Sequence, residues 1–243
     1  FICLCSRFML SKVQNYINEN RLFDKRDRLM LGLSGGRDSV VLLHVLLKLG
    51  YEVIAAHCNF NLRGEESESE TSFVKELCEK WGVSCHVKYF EIPKSNNNVK
   101  GGVQLNARLL RYSWFDTLKS EERVVKILTA HQLDDQIETF FINLSRGTGL
   151  KGLVGIPNKR GDVVRPLLPV TRAEVTAYAT ENNLNFRDDS SNDKDVYLRN
   201  KMRLNVVPEF MSSNPSFHNS FGNTLRHLKG VQNYWEKSYQ KWL

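Results

Sequence analysis

Apolar residues occur along this chain at two periods, and the two alternate. Residues 29–33 are apolar apart from Gly32, too short a run for a helix, and predict a buried strand. Residues 40–49 form a longer apolar run and predict a helix packed on a sheet. The alternation continues with strands over 51–57, 83–90 and 124–128 and a short fifth strand at 163–165. Helices are predicted over 69–81, with Phe73, Val74, Leu77 and Trp81 on one side, then 103–118, 133–146 and 172–182, the last with Val175, Tyr178 and Ala179 inward. A short helix over 11–20, with Val13, Tyr16 and Ile17 at helical spacing, leads the chain. The polar stretch 93–102 is expected to be a mobile loop. This order defines the fold class as α/β: a Rossmann-like parallel sheet with helices on both faces. In such sheets ligands bind beyond the carboxyl ends of the strands, so residues 34–39, 57–63 and 129–135 should meet at one crevice.

The 243 residues suit one α/β domain plus a small appendage, and 41% hydrophobic content is enough for a proper core. The net charge of +7, from 34 Lys and Arg against 27 Asp and Glu, is compatible with a polyanionic partner such as RNA but hardly changes the odds alone. Five cysteines show neither a Cys-x-x-Cys nor a disulfide-framework spacing, which points to a reducing, cytoplasmic setting. No apolar stretch reaches membrane-spanning length, so no membrane partner is expected. The opening residues 1–10 are too short for a secretory segment and are expected to be disordered or extraneous, with Met9 as the natural start.

The chemistry concentrates at strand ends. After the first strand comes the turn Ser34, Gly35, Gly36, Arg37, Asp38, Ser39. Glycines there let backbone N–H groups close around an anion, and the helix that follows turns its positive end to it. Asp38 repels phosphate unless a divalent cation lies between them, and Mg²⁺ is held in this way by one or two carboxylates plus phosphate oxygens. No Gly-Lys-Ser/Thr follows, so this is not a Walker loop; a bare Asx turn and helix cap is the plain alternative. Past the fourth strand, Asp134 and Asp135 open a helix four residues after His131. One acid suits a helix cap; of the two, Asp135 is favoured to share the metal with Asp38. His131 is either a phosphate contact or a satisfied structural histidine. Arg108 and Arg111 share a helix face, as a solvated basic surface or a guanidinium pair aimed at phosphate. Residues 187–203 run from an acidic loop into a basic helix start, which composition alone reads as a polar connector.

The six residues Ser34 to Ser39 resemble the Ser-Gly-Gly-x-Asp-Ser signature of the N-type ATP pyrophosphatases. The wider set resembles the tRNA(Ile)-lysidine synthase family over about residues 10–210. It comprises His57, Asn59, Leu62, Arg63, Gly64 and Ser67, then Ala107, Arg108, Arg111 and Tyr112, then the stretch 130–139 with residues 146–150 after it. The last pieces are Asp189, Ser191, Asn192, Arg199, Asn200 and Arg203. Phe60 departs from the pattern, standing where many members carry a second histidine.

The resemblance implies an ATP- and Mg²⁺-dependent ligase. It would adenylate the first anticodon cytidine of a tRNA(Ile) with a CAU anticodon and then join L-lysine to its C2, releasing AMP and pyrophosphate. It implies ATP binding by Ser34, Gly35, Gly36, Arg37, Asp38, Ser39, His57, Arg108 and His131. Asp38 and Asp135 would hold the metal, with Asp38, Asp135 and Arg111 catalytic. Asp188, Asp189, Arg199, Asn200 and Arg203 are candidates for lysine or tRNA. Under it, residues 11–210 form the catalytic domain, and 211–243 a helical linker toward an absent C-terminal tRNA-binding region. A homodimer is left open. A tRNA 2-thiolase on the same fold would need a persulfide cysteine or cluster ligands, for which the cysteine spacing gives no support; a catalytically incompetent ATP- or tRNA-binding fragment is the other alternative.

Overall fold

The computed structural model describes residues 2–62, 64–91, 102–187 and 194–240. Its six-stranded sheet is built from β1 (Leu29–Gly32), β2 (Val53–Asn59), β3 (Cys85–Tyr89), β4 (Lys126–Leu128), β5 (Lys159–Arg160) and β6 (Val163–Val164) in the order β3-β2-β1-β4-β6-β5. All pairings are parallel except β5 with β6. The central strand shows why its sequence is a continuous apolar run. Leu29, Leu31 and Leu33 lie in one buried cluster and Met30 in another, because successive side chains leave on opposite faces and both faces are covered. Gly32 fits because the Phe115 ring presses on it: a Cβ there would stand 3.1 Å from the ring.

One face is covered by α1 (Ile2–Glu19), α2 (Arg37–Lys48), α3 (Glu65–Trp81) and α7 (Arg172–Glu181), which contribute Val13, Val41, Val74 and Val175 to that cluster. The other is covered by α4 (Gly102–Glu121), through Phe115 and Leu118. Beyond β4 come α5 (Leu133–Ser145) and a single turn, α6 (Leu150–Leu153). The chain ends in α8 (Lys194–Lys201), a π-helical turn at Met202–Val206, α9 (Val207–Ser213) and α10 (Phe217–Gln240). A third cluster, Ile137, Val207, Phe221 and Leu225, ties these last helices to α5.

Several bounds differ from the sequence expectation. The leading helix begins at Ile2 rather than residue 11, and Met9 is buried in the main core, so the stretch expected to be disordered or extraneous is helical from Ile2. Helix α3 begins at Glu65 instead of residue 69, since Glu65, Glu66 and Glu68 suit the positive end of a helix. The predicted mobile loop 93–102 lies outside the described residues apart from Gly102, where α4 begins. No helix among the described residues is long and apolar enough to cross a membrane.

Candidate nucleotide site

The carboxyl ends of β1, β2 and β4 open into a cavity of about 710 Å³. The turn after β1 forms its base. Gly35 sits at φ +87°, a left-handed conformation that a side chain rarely adopts. Ser34 Oγ accepts from the Gly36 N–H at 3.2 Å and lies 3.1 Å from Ser39 Oγ, and Ser39 Oγ donates to the Gly36 carbonyl at 2.9 Å. Gly36 is the N-cap of α2 and has no side chain to cap it, which leaves the first-turn N–H groups for an anion. Arg187 closes the turn from outside: its N–H donates to the Gly35 carbonyl at 3.0 Å, and the segment pairs with Gly36 as an isolated parallel bridge.

Asp38 and Asp135 both line the cavity, one from α2 and one from α5. Gln132 joins them. Its Nε2 donates to Asp38 Oδ2 at 2.8 Å, and its backbone N–H donates to Asp135 Oδ2 at 2.9 Å. The Gln132 side chain is fully buried and its Oε1 has no hydrogen-bond partner. Burial pushes the Asp135 carboxyl up to about 6, with the Glu138 and Asp38 carboxylates adding to the rise against the pull of the Gln132 N–H and Arg199. Asp134 faces elsewhere: Oδ2 accepts from the Arg172 N–H at 2.7 Å, holding the start of α7, and Oδ1 lies 3.4 Å from His218. Asp135 thus lies at the cavity, while Asp134 holds the start of α7.

Mg²⁺ fits this donor set. Two carboxylates face one cavity, one of them resisting ionisation partly because of the other, and a cation relieves that repulsion. Among the described residues no three His, Cys, Asp or Glu side chains converge as a closed cage. Mg²⁺ is usually held by one or two carboxylates, with phosphate oxygens and water completing its shell.

Six arginines line the same cavity: Arg37, Arg108, Arg111, Arg187, Arg199 and Arg203. Arg37 leans on Asp38 at 3.4 Å. Arg199 and Arg203 are anchored on Glu138, which is 1% exposed and also pairs with Arg172 at 3.0 Å. Arg203 Nε donates to Glu138 Oε1 at 2.8 Å; Arg199 Nε lies 3.0 Å from Oε2, off the line of a hydrogen bond. Among the described residues Arg108 and Arg111 have no carboxylate partner and lie over the rings of Tyr112 and Phe60. Burial, together with Arg165, Arg199, Arg108 and Arg111, holds His131 down to about 4, so the ring is neutral, with Nδ1 3.0 Å from Thr129 Oγ1.

The cavity therefore brings together Ser34, Gly36, Arg37, Asp38, Ser39, His57, Arg108, Arg111, His131, Asp135, Arg199 and Arg203 of the residues singled out from sequence. Gly35 shapes the turn without lining the cavity, and Asn200 does not reach it. Asp188 and Asp189 lie outside the described residues. His57 has both ring nitrogens engaged: Nδ1 donates to the Leu33 carbonyl at 2.8 Å and Nε2 lies 3.1 Å from Thr71 Oγ1, so it binds β2 to α3 rather than reaching for phosphate. Gln132, Glu138 and Arg187 carry more of the site than their sequence neighbourhoods suggest. A glutamine between an apparent cap and a strand, or a glutamate beside Ile137, gives no periodic signal.

The chain belongs to the PP-loop domain family, which it matches over residues 7–210. It is similar to the tRNA(Ile)-lysidine synthase of Bacteroides thetaiotaomicron, 43% identical over 93% of this chain and 53% of that protein. The tRNA(Ile)-lysidine synthase of Porphyromonas gingivalis (strain W83) is 42% identical over 95% of this chain and 51% of its own length. The chain thus spans about half the length of the curated relatives it matches. Among solved structures, the U34-tRNA thiolase NcsA from Methanococcus maripaludis with its [4Fe-4S] cluster superposes with a TM-score of 0.76 at 18% identity, covering 94% of this chain and 80% of that one. The NH3-dependent NAD synthetase from Campylobacter jejuni gives a TM-score of 0.51 at 17% identity, covering 93% and 94%. At those identities the likeness is one of fold.

Proposed function

We propose that the chain carries the nucleotide-binding and base-activating site of a tRNA(Ile)-lysidine synthase, acting in the cytoplasm on tRNA(Ile) with a CAU anticodon, ATP and L-lysine. The observation that supports it most is the cavity itself, where the glycine turn, a carboxylate pair and six arginines meet beyond the sheet. The named relatives are about 40% identical across nearly the whole chain.

The turn and the first-turn N–H groups of α2 hold the ATP phosphates. Asp38 and Asp135 would hold Mg²⁺, which would supply neutralisation of the phosphate charge there. The cytosine O2 attacks the α-phosphorus, the bond to the β-phosphate oxygen breaks, and pyrophosphate leaves with AMP on the base. The neutral lysine amine then adds to C2, and the C2–O bond to AMP breaks as the amine proton is lost. Arg108 and Arg111, free of carboxylate partners among the described residues, hold the developing phosphate charge or the tRNA backbone. Arg199 and Arg203, which line the same cavity, add positive charge there.

The test is incorporation of radiolabelled lysine into a tRNA(Ile) transcript, with AMP release measured in parallel. Both are expected to require tRNA, and Asp38→Asn is expected to abolish both. AMP formation without tRNA, or near-normal turnover in Asp38→Asn, would refute the assignment. Cys58→Ser and Cys85→Ser are each expected to leave lysine incorporation intact, which a thiolase chemistry carried by either sulfur would not allow.

A further inference from the structure

We infer that Phe60, backed by Phe90, is the seat on which the target pyrimidine stacks once it is turned out of the anticodon, the base taking the ring face that the Arg111 guanidinium covers in its absence. The inference rests on the tRNA reading above and names the surface that receives the base. Strands β2 and β3 are in register with Asn59 beside Tyr89, and the Phe90 N–H donates to the Asn59 carbonyl at 2.8 Å. One step further along the ladder, Phe60 and Phe90 therefore fall side by side. Their rings stack with centroids 5.0 Å apart and planes 17° from parallel. Trp114 from α4 meets Phe90 edge-on at 6.2 Å, and Arg111 Cζ stands 5.6 Å from the Phe60 centroid.

This group is not core. Phe60 and Phe90 are half-buried and belong to none of the three buried clusters. Phe60 is nevertheless rigidly presented. The neighbouring Asn59 is buried, with Nδ2 donating to Thr71 Oγ1 at 3.0 Å and to Glu68 Oε1 at 3.0 Å, while its Oδ1 accepts from the Asn61 N–H at 2.7 Å. That tight turn, with Asn61 at φ +47°, fixes the backbone on both sides of the ring. Arg111 belongs to both places: it lines the nucleotide cavity and lies on Phe60. A planar guanidinium over an aromatic ring, next to a phosphate site, matches the surface on which single-stranded bases stack.

An anticodon stem–loop RNA and the same RNA with an abasic first anticodon position separate the possibilities, with binding read by fluorescence anisotropy. The unsubstituted protein is expected to bind the abasic RNA roughly tenfold more weakly, the size of one stacking contact. Phe60→Leu, which keeps bulk but not the ring, is expected to bind both RNAs equally, and Phe60→Tyr to recover the difference. A persistent penalty for the abasic RNA in Phe60→Leu, or equal binding of the two RNAs by the unsubstituted protein, overturns the inference alone. If the unsubstituted protein binds neither RNA, the tRNA reading itself fails, and this one with it.

Discussion

Glu138→Gln is the most informative single change, because one buried carboxylate holds three guanidiniums at 2.8–3.0 Å. The substitution keeps shape and removes charge, leaving three cations around a neutral amide. Breaking a wholly buried pair costs roughly 3–5 kcal/mol. Here only the glutamate is fully buried. The side chains of Arg172, Arg199 and Arg203 are 24%, 37% and 38% exposed and can turn to water. That places the loss below that range, at about 2–3 kcal/mol, which for a chain of this size lowers the unfolding midpoint by about 4–12 °C. Urea unfolding gives the first readout and Mg-ATP binding the second. Arg199 and Arg203 should leave the cavity wall, so affinity should fall together with stability. The double variant Glu138→Gln/Arg203→Gln should lose less than the two single losses added, because both remove the same contact. A change below about 0.5 kcal/mol in Glu138→Gln with unaltered ATP affinity would refute the anchoring role.

Three further expectations follow from the same geometry. Gly35→Ala must force φ +87° on a residue with a Cβ, 3.2 Å from Val74 Cγ2; a loss of about 1–3 kcal/mol and weaker ATP binding are expected by calorimetry, and an unchanged midpoint would show that the turn relaxes. His131 is held down to about 4 from 6.5, so the unfolded chain takes up its proton first, and stability should fall as pH drops from 6.5 through 4, by on the order of 3 kcal/mol in full. His131→Gln should flatten that dependence in pH-resolved urea unfolding, and an identical slope would remove the histidine as its cause. Gln132→Leu leaves Asp38 Oδ2 without its donor and should move the Mg²⁺ midpoint of ATP binding upward by about tenfold or more, a bond to a charged group being worth about 1.5–3 kcal/mol; an unmoved midpoint would show that the bridge does not position the carboxylate.

The strand–helix alternation is legible in the sequence because a doubly covered parallel strand cannot alternate. Leu29, Met30 and Leu31 each find a buried face, and so does the next strand, with Val53 and Ala55 in one cluster and Ile54 and Ala56 in the other. The strand ends that form the crevice are legible for the same reason. The antiparallel β5 is not, since two residues, Lys159 and Arg160, are too few to show a period. Nor are α9 and α10 legible as part of the folded body, because what docks them is an aromatic set from distant segments, Phe140 against Phe221 at 5.3 Å and Phe141 against Phe210 at 4.9 Å.

The site divides along the same line. A motif can show that Asp134 and Asp135 are adjacent at a helix start. Which of them faces the cavity depends on the Arg172 N–H, 38 residues on, taking Asp134. Likewise the basic residues Arg199 and Arg203 read locally as part of a polar connector and are held at the cavity through Glu138, 65 residues before Arg203. Local chemistry thus fixes what each residue can do, and single long-range contacts decide whether it does it at the cavity. The single variants Asp134→Asn and Asp135→Asn separate the two cases. The first should lower the unfolding midpoint through the loosened start of α7, while ATP affinity holds within about twofold; the second should weaken Mg-ATP binding by tenfold or more, about 1.4 kcal/mol. Equal loss of affinity in both would mean that the division of labour between the neighbouring carboxylates is wrong.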